Sequence, residues 1–257
     1  MKAVFLIGTA GSGKTTFVKN FSEWIEDKGV DVARINLDPG VVSLPYNADF
    51  DVREYISTEK IMKDLGLGPN SALTVASDLL AVKVHEISEE IEAMGYEIAI
   101  VDTPGQIELF AFRPVGRVFS ESFLQGPRMV IYLFDYALML EPLGFLSSLY
   151  LSISVYASLA IPQLNVINKV DLAEPRLVKR ISDWYSNPIK LYEAVGRYYK
   201  GEKLKLGKEL SKALPALSGL NKPIPVSAIT MEGFVDVYSQ ITRILGTGEE
   251  FSQEQAI

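Results

Sequence analysis

Eight residues near the start of the chain, Gly8-Thr9-Ala10-Gly11-Ser12-Gly13-Lys14-Thr15, restrict its fold more than any others. They follow the apolar run AVFLIG at residues 3–8 and open a helical pattern that Gly29 stops. A strand, a glycine-rich turn and a helix in that order form a P-loop. The glycines let successive backbone N–H groups converge on phosphate oxygens, and the helix behind them turns its positive end to the same place. The pattern assigns Gly8, Ala10, Gly11, Ser12, Gly13, Lys14, Thr15 and Thr16 to nucleotide binding. Lys14 supplies a charge at the β and γ phosphates, and the Thr15 hydroxyl is a candidate Mg2+ ligand. The alternative is a purely structural glycine-rich turn.

A buried parallel strand needs neighbours of its own kind. Further strand patterns stand at residues 30–37, 97–102, 129–134, 163–168 and 224–228, with helical patterns between them. This alternation predicts an α/β fold of the P-loop NTPase type: a mostly parallel, Rossmann-like sheet with helices on both faces. Residues 57–65 and 73–94 read as helices, with GLGPN (66–70) as the turn between them. Residues 174–222 are charged, Tyr-rich and helical, and read as an insertion. The polar end, 247–257, reads as a flexible tail. The expected organisation is a single domain over 1–246, with a GPN-loop insertion at about 57–94 and the helical insertion at about 174–222.

Between Pro142 and Asn168 no residue is charged, and the segment starting PLGFLSSLYLSISVYASLAI approaches the length of a bilayer span. Apolar strands of one sheet flank it, so the expected role is a core or dimer-interface helix that packs back on that sheet. The chain has no Cys, and His85 is its only His, which excludes thiolate metal sites and disfavours a Ser-His-Asp triad. A net charge of −7 argues against a general nucleic-acid or anionic-membrane surface. The N-terminus lacks the long apolar region of a secretory signal, so a cytoplasmic setting is expected.

Three further motifs bear on chemistry. In IAIVDTPGQIE, Asp102 ends an apolar strand, where a carboxylate suits a Mg2+-bound water. Gly105 can offer its N–H to a γ-phosphate, and Gln106 stands where a carboxamide could orient the attacking water. The plainer readings are a strand-end cap and a solvated loop residue. In INLDPG, Asp38 could polarise water or join the Mg2+ shell, or simply start an Asp-Pro turn. In NKVD, the Asp171 carboxylate could accept both N1–H and N2–H2 of guanine, a donor pair that adenine lacks. Asn168 would tie that loop to the P-loop or reach guanine N7, and the Lys169 stem would cover the base. The Ala228 N–H of Ser227-Ala228 could reach guanine O6.

The ordered set GTAGSGKT, LDPG, GPN, DTPGQIE and NKVD resembles the GPN-loop GTPases over nearly the whole chain. The most specific mark is Gly68-Pro69-Asn70. The resemblance implies GTP as substrate and GDP as product, Mg2+, and a homodimer in which the GPN loop acts in trans. It implies that Asn70 contacts the γ-phosphate region of the neighbouring subunit. It also implies that Asp38, Gln106 and Glu108 lie near the attacking water. In eukaryotic relatives it implies a role in assembling or importing RNA polymerase. The residues themselves leave two other readings open: a P-loop ATPase or small-molecule kinase, and a scaffold in which nucleotide only stabilises the dimer. Arg53, Arg113 and Arg117 are alternative cis donors to the phosphates, although a structural role suits each.

Overall fold

The computed structural model describes residues 1–214 and 222–246. The expected tail at 247–257, and residues 215–221 of the expected insertion, lie outside the described residues. Seven strands form one parallel sheet: β1 (Lys2–Gly8), β2 (Val32–Asn36), β3 (Phe50–Asp51), β4 (Ile98–Asp102), β5 (Arg128–Asp135), β6 (Gln163–Asn168) and β7 (Ile224–Pro225), in the order β3-β2-β4-β1-β5-β6-β7. Side chains alternate across a strand, so β1 divides between two cores. Ala3, Phe5 and Ile7 enter one, and Val4 and Leu6 the other. Both faces are therefore covered, which is why the strand reads as an unbroken apolar run.

The helices are α1 (Lys14–Glu26), α2 (Thr58–Leu65), α3 (Pro69–Val82), α4 (Val84–Ala93), α5 (Ile107–Ala111), α6 (Pro114–Ser122), α7 (Pro142–Leu159), α8 (Pro175–Ser186), α9 (Pro188–Tyr198), α10 (Gly201–Ala213) and α11 (Phe234–Leu245). One face of the sheet is covered by α1 and α11, through Phe17, Phe21, Phe234 and Ile241. Phe234 sets its ring edge-on to Phe17 and Phe21 at 5.2 and 5.1 Å. The other face carries α3, α4, α6 and α7, through Leu80, Ile87, Phe119, Phe145 and Leu149.

Helix α7 has a mean hydropathy of 1.3 over 18 residues, long and apolar enough to cross a membrane by length and composition. It joins β5 to β6, which are adjacent and parallel, and so must pack back on the sheet. The Ser152 hydroxyl donates to Asn165 Oδ1 of β6 at 2.8 Å, fixing it there.

Three local readings of the sequence are corrected. The run at 224–228 supplies only two strand residues, because Ser227 turns the chain by accepting the Ile229 and Thr230 N–H groups. Strand β3, also two residues long, is too short to show a period. The helix expected at 73–94 starts at Pro69 and divides at Lys83. Gly66, at φ +64°, closes α2, and Gly68 is the extended residue before α3. Pro69 takes the first helical position, where its missing N–H costs nothing. Gly68-Pro69-Asn70 is therefore a helix start, not a free turn.

Candidate functional site

From β1 the chain passes to β2 on one side of the sheet, and later to β5 on the other. The carboxyl end of β1 is thus the switch point where ligands bind in open α/β sheets, and the P-loop lies there. Lys14 is buried and donates to the carbonyls of Gly8 at 2.9 Å and Thr9 at 3.2 Å. Burial lowers its pKa, while Asp102 and Asp38 oppose the shift. Gly13 has φ +92°, and a Cβ there would lie 2.5 Å from Asn168 Nδ2.

That amide joins the two halves of the site. Asn168 donates from Nδ2 to Ser12 O of the P-loop at 2.9 Å, and its Oδ1 accepts the Ala228 N–H at 3.0 Å. Of the two roles expected for Asn168, the tie to the P-loop is the one made. The Ala228 N–H, expected to be free for a base oxygen, is already given to Asn168 Oδ1. Lys169 lies in the left-handed region at φ +67°. Its ammonium donates to Gly11 O and to Asp135 Oδ2, the latter at 2.7 Å, so its stem lies along the P-loop. Asp171 follows in a short 3-10 turn, exposed, with its carboxylate bonded by no described residue.

On the opposite flank, Asp102 is buried at the end of β4. Its Oδ2 accepts the Tyr46 hydroxyl at 3.3 Å, while its buried Oδ1 has no hydrogen-bond partner among the described residues. Burial pushes the carboxyl up to about 6, partly offset by the Thr15 hydroxyl and the Lys14 ammonium. Burial and the adjacent carboxylate likewise push the Tyr46 hydroxyl far above its ordinary range.

Asp38 stands between this carboxylate and the loop after β4. Its Oδ1 accepts the Gly40 N–H at 2.9 Å and its Oδ2 accepts the Gly105 N–H at 3.0 Å. The Gly105 N–H, expected to point to a γ-phosphate, is thus given to Asp38.

The hydrogen bonds join the P-loop, Asp38, Gly105, Asn168, Lys169 and Ala228 to their neighbours in the site. They do not reach the side chains of Asn70, Gln106, Glu108 or Asp171, all exposed. Gln106 and Glu108 lie at the start of α5, and Asn70 in the first turn of α3. Arg53 is bound to Asp51 and to the carbonyls of Val41 and Val42, Arg113 to Asp78, and Arg117 to Glu121. Each arginine is paired with a carboxylate. Sequence reasoning missed Tyr46, Asn36 and Asp135. Asn36, ending β2, was the accessible signal, because an Asn two residues before Asp-Pro suits local capping of a turn.

A phosphate loop at the switch point, with a strand-end carboxylate beside it, defines a P-loop nucleotide-binding protein. A family model described as a conserved hypothetical ATP binding protein matches residues 6–247. A GPN-loop GTPase of Pyrococcus abyssi is 33% identical over 91% of this chain and 93% of its own length. The crystal structure of a GTPase in apo form from Pyrococcus abyssi superposes with a TM-score of 0.84 at 29% identity, covering 96% of this chain and 98% of that one. The chain belongs to the GPN-loop GTPase family. GPN-loop GTPase 1 of Saccharomyces cerevisiae is 32% identical over 70% of this chain, which spans only 47% of the yeast protein's length. For GPN-loop GTPase 1 of Dictyostelium discoideum, 27% identical, the share is 60%.

Proposed function

We propose that this chain is a Mg2+-dependent molecular switch that binds and hydrolyses GTP, working as a homodimer in the cytoplasm with its GPN segment acting in trans. The observation that carries this reading is Asn168. It fastens the NKVD turn directly to the P-loop, so one residue sets the spacing between the phosphate and base ends of a nucleotide. The turn leaves the Asp171 carboxylate free as an acceptor for guanine's paired donors. The family description that names ATP favours the competing ATPase reading, but an Asp there would face no donor pair on adenine.

The residues fit a Mg2+ ion. Asp102 Oδ1 is an orphaned buried acceptor, and the Thr15 hydroxyl is its neighbour. A single carboxylate and a hydroxyl, completed by water and phosphate oxygens, is the donor set Mg2+ prefers. When bound, Mg2+ neutralises charge on the phosphate oxygens. Lys14 turns from its loop carbonyls to the phosphates. Asp38, Gln106 and Glu108 orient a water, whose oxygen attacks the γ-phosphorus as the bridging P–O bond breaks; the water's protons pass to phosphate oxygens and solvent, leaving GDP and phosphate. Asn70 supplies a donor to the charged oxygens from the neighbouring subunit. The family resemblance alone supports a role in assembling a larger complex such as RNA polymerase.

The test is turnover with GTP and ATP in competition. GTP hydrolysis that excess ATP does not inhibit is expected, with Asp102→Ala inactive. Asn70→Ala should retain nucleotide affinity within about twofold and lose roughly tenfold or more in turnover, the size of a lost transition-state donor. Wild-type turnover in Asn70→Ala would remove the GPN segment from the chemistry.

A further inference from the structure

The two carboxylate oxygens of Asp102 differ in their surroundings. Oδ2 accepts the Tyr46 hydroxyl at 3.3 Å, and the buried Oδ1 has no partner among the described residues. A strand-end aspartate does not by itself settle which oxygen faces the P-loop, because its terminal torsion is broad and roughly two-fold. The Thr15 hydroxyl and the Lys14 ammonium stand beside this carboxylate, and the Asp38 carboxylate lies near it. A hydroxyl fastened to one oxygen removes the ambiguity.

That hydroxyl is delivered by a side chain with little freedom. Tyr46 is 8% exposed and belongs to the core under α1, in one cluster with Phe17, Phe21 and Ile25. Three residues on, Asp49 is tied to β2: its N–H donates to Arg34 O, and its Oδ2 accepts the Arg34 N–H, both at 2.8 Å. Its Oδ1 accepts the Tyr96 hydroxyl at 2.9 Å. The loop carrying Tyr46 is thus pinned to the sheet just before β3. On its outer side lies an open cleft of about 450 Å3, lined also by Lys19, Glu23, Arg34 and Leu44 among others. Tyr46 is the buried residue of that lining, so its ring stands between the cleft and Asp102. For packing alone, a phenylalanine would fill this place without burying a hydroxyl.

We propose that Tyr46 is a positioning residue for the Mg2+ site: by fastening Asp102 through Oδ2, it keeps Oδ1 as the free oxygen offered to Mg2+ or to a water on it. Partners that orient a metal's carboxylate in this way are worth about 10–100-fold in metal affinity. The 3.3 Å distance is long beside the roughly 2.7–2.8 Å usual for O–H···O, which sets the expectation at the lower end of that range. This inference rests on the Mg2+ reading above.

The experiment titrates Mn2+, a paramagnetic substitute for Mg2+, into the full chain carrying GDP, and follows free Mn2+ by electron paramagnetic resonance. Wild type and Tyr46→Phe are compared, each also in the Asp102→Ala background. Tyr46→Phe keeps the ring that closes the cleft and removes only the hydroxyl. It should weaken Mn2+ binding by roughly tenfold. Fluorescent GDP in chelator should bind it within about twofold of wild type. Beside Asp102→Ala the same change should cost less than about twofold, because the group it acts through is gone. Mn2+ affinity unchanged within about twofold in Tyr46→Phe overturns the proposal, and so does a tenfold loss that persists beside Asp102→Ala. A loss of GDP affinity in chelator as large as the loss for Mn2+ would assign Tyr46 to the fold or the nucleotide, and overturns it as well. Wild type holding Mn2+ no more tightly than GDP in solution does would instead overturn the Mg2+ reading of Thr15 and Asp102, and this proposal with it.

Discussion

Asp102 is a carboxylate in conflict with its surroundings. The folded protein holds its carboxyl at about 6, above the ordinary 3.8, because burial disfavours the charge. A raised carboxyl pKa means the folded state binds the proton more tightly than the unfolded state. The stabilisation from that proton is complete below about 3.8 and is lost as the pH rises through about 6. Asp102→Asn, which never ionises, should therefore make the metal- and nucleotide-free protein more stable at pH 8 by about 1–3 kcal/mol. The advantage should close as the pH falls below about 6, as urea unfolding in a chelator would measure. A destabilised Asp102→Asn at pH 8 would show that the carboxylate is compensated after all. Gly13 makes a second demand at this scale. Its φ of +92° is strained for any side chain, and the Asn168 amide fills the space a Cβ would need. Gly13→Ala should cost about 1–3 kcal/mol in thermal unfolding, and should weaken GDP binding by pushing Asn168 off Ser12. Unchanged binding would mean that the Asn168 tie is dispensable.

At the scale of elements, α1 and α11 are bound by an aromatic cluster in which Phe234 is fully buried against Phe17, Phe21 and Trp24. Phe234→Ala should lower stability by about 3–5 kcal/mol, read by denaturant titration, since a ring-sized void cannot close between two helices and a sheet. A loss below about 1 kcal/mol would mean α11 packs independently of that ring. Elements like these are legible in a sequence. A strand covered on both faces reads as an apolar run, and the P-loop and NKVD are contiguous residues acting through their own backbone. Short or bistable elements are not. Strand β3 has two residues, and Gly-X-Gly-Pro describes a turn and a helix start equally well. Long-range pairings leave no local trace: Tyr46 meets Asp102 from 56 residues away, and Asp38 meets Gly105 from 67. The site's parts could therefore be named from sequence, while the partners that occupy its N–H groups could not.

Over the whole molecule, the question is whether one chain contains a complete site. Asn70 lies exposed, unbonded to the network around the P-loop. If it acts in trans, Asn70→Ala and Lys14→Ala should each turn over at roughly a tenth of the wild-type rate or less alone, yet recover turnover when mixed. Half of a randomly exchanged equal mixture is mixed dimer with one intact site, so about a quarter of the wild-type rate per protomer is expected. No recovery on mixing would place Asn70 at its own nucleotide or outside the reaction. Mass measurement with GDP and with a GTP analogue should show a dimer in at least the analogue state, and a monomer in both would exclude the trans arrangement.

The break at Lys83 gives the GPN helix a mechanical character. Helix α3 has 14 residues, and Asn70 lies about 20 Å along it from that break. A pivot of only 5° or so at Lys83 would carry Asn70 through about 2 Å. That is the difference between a made and an unmade hydrogen bond. If α3 moves as one rigid arm, the placing of the tripeptide is set some twenty ångströms away, at a residue bearing no part of the chemistry.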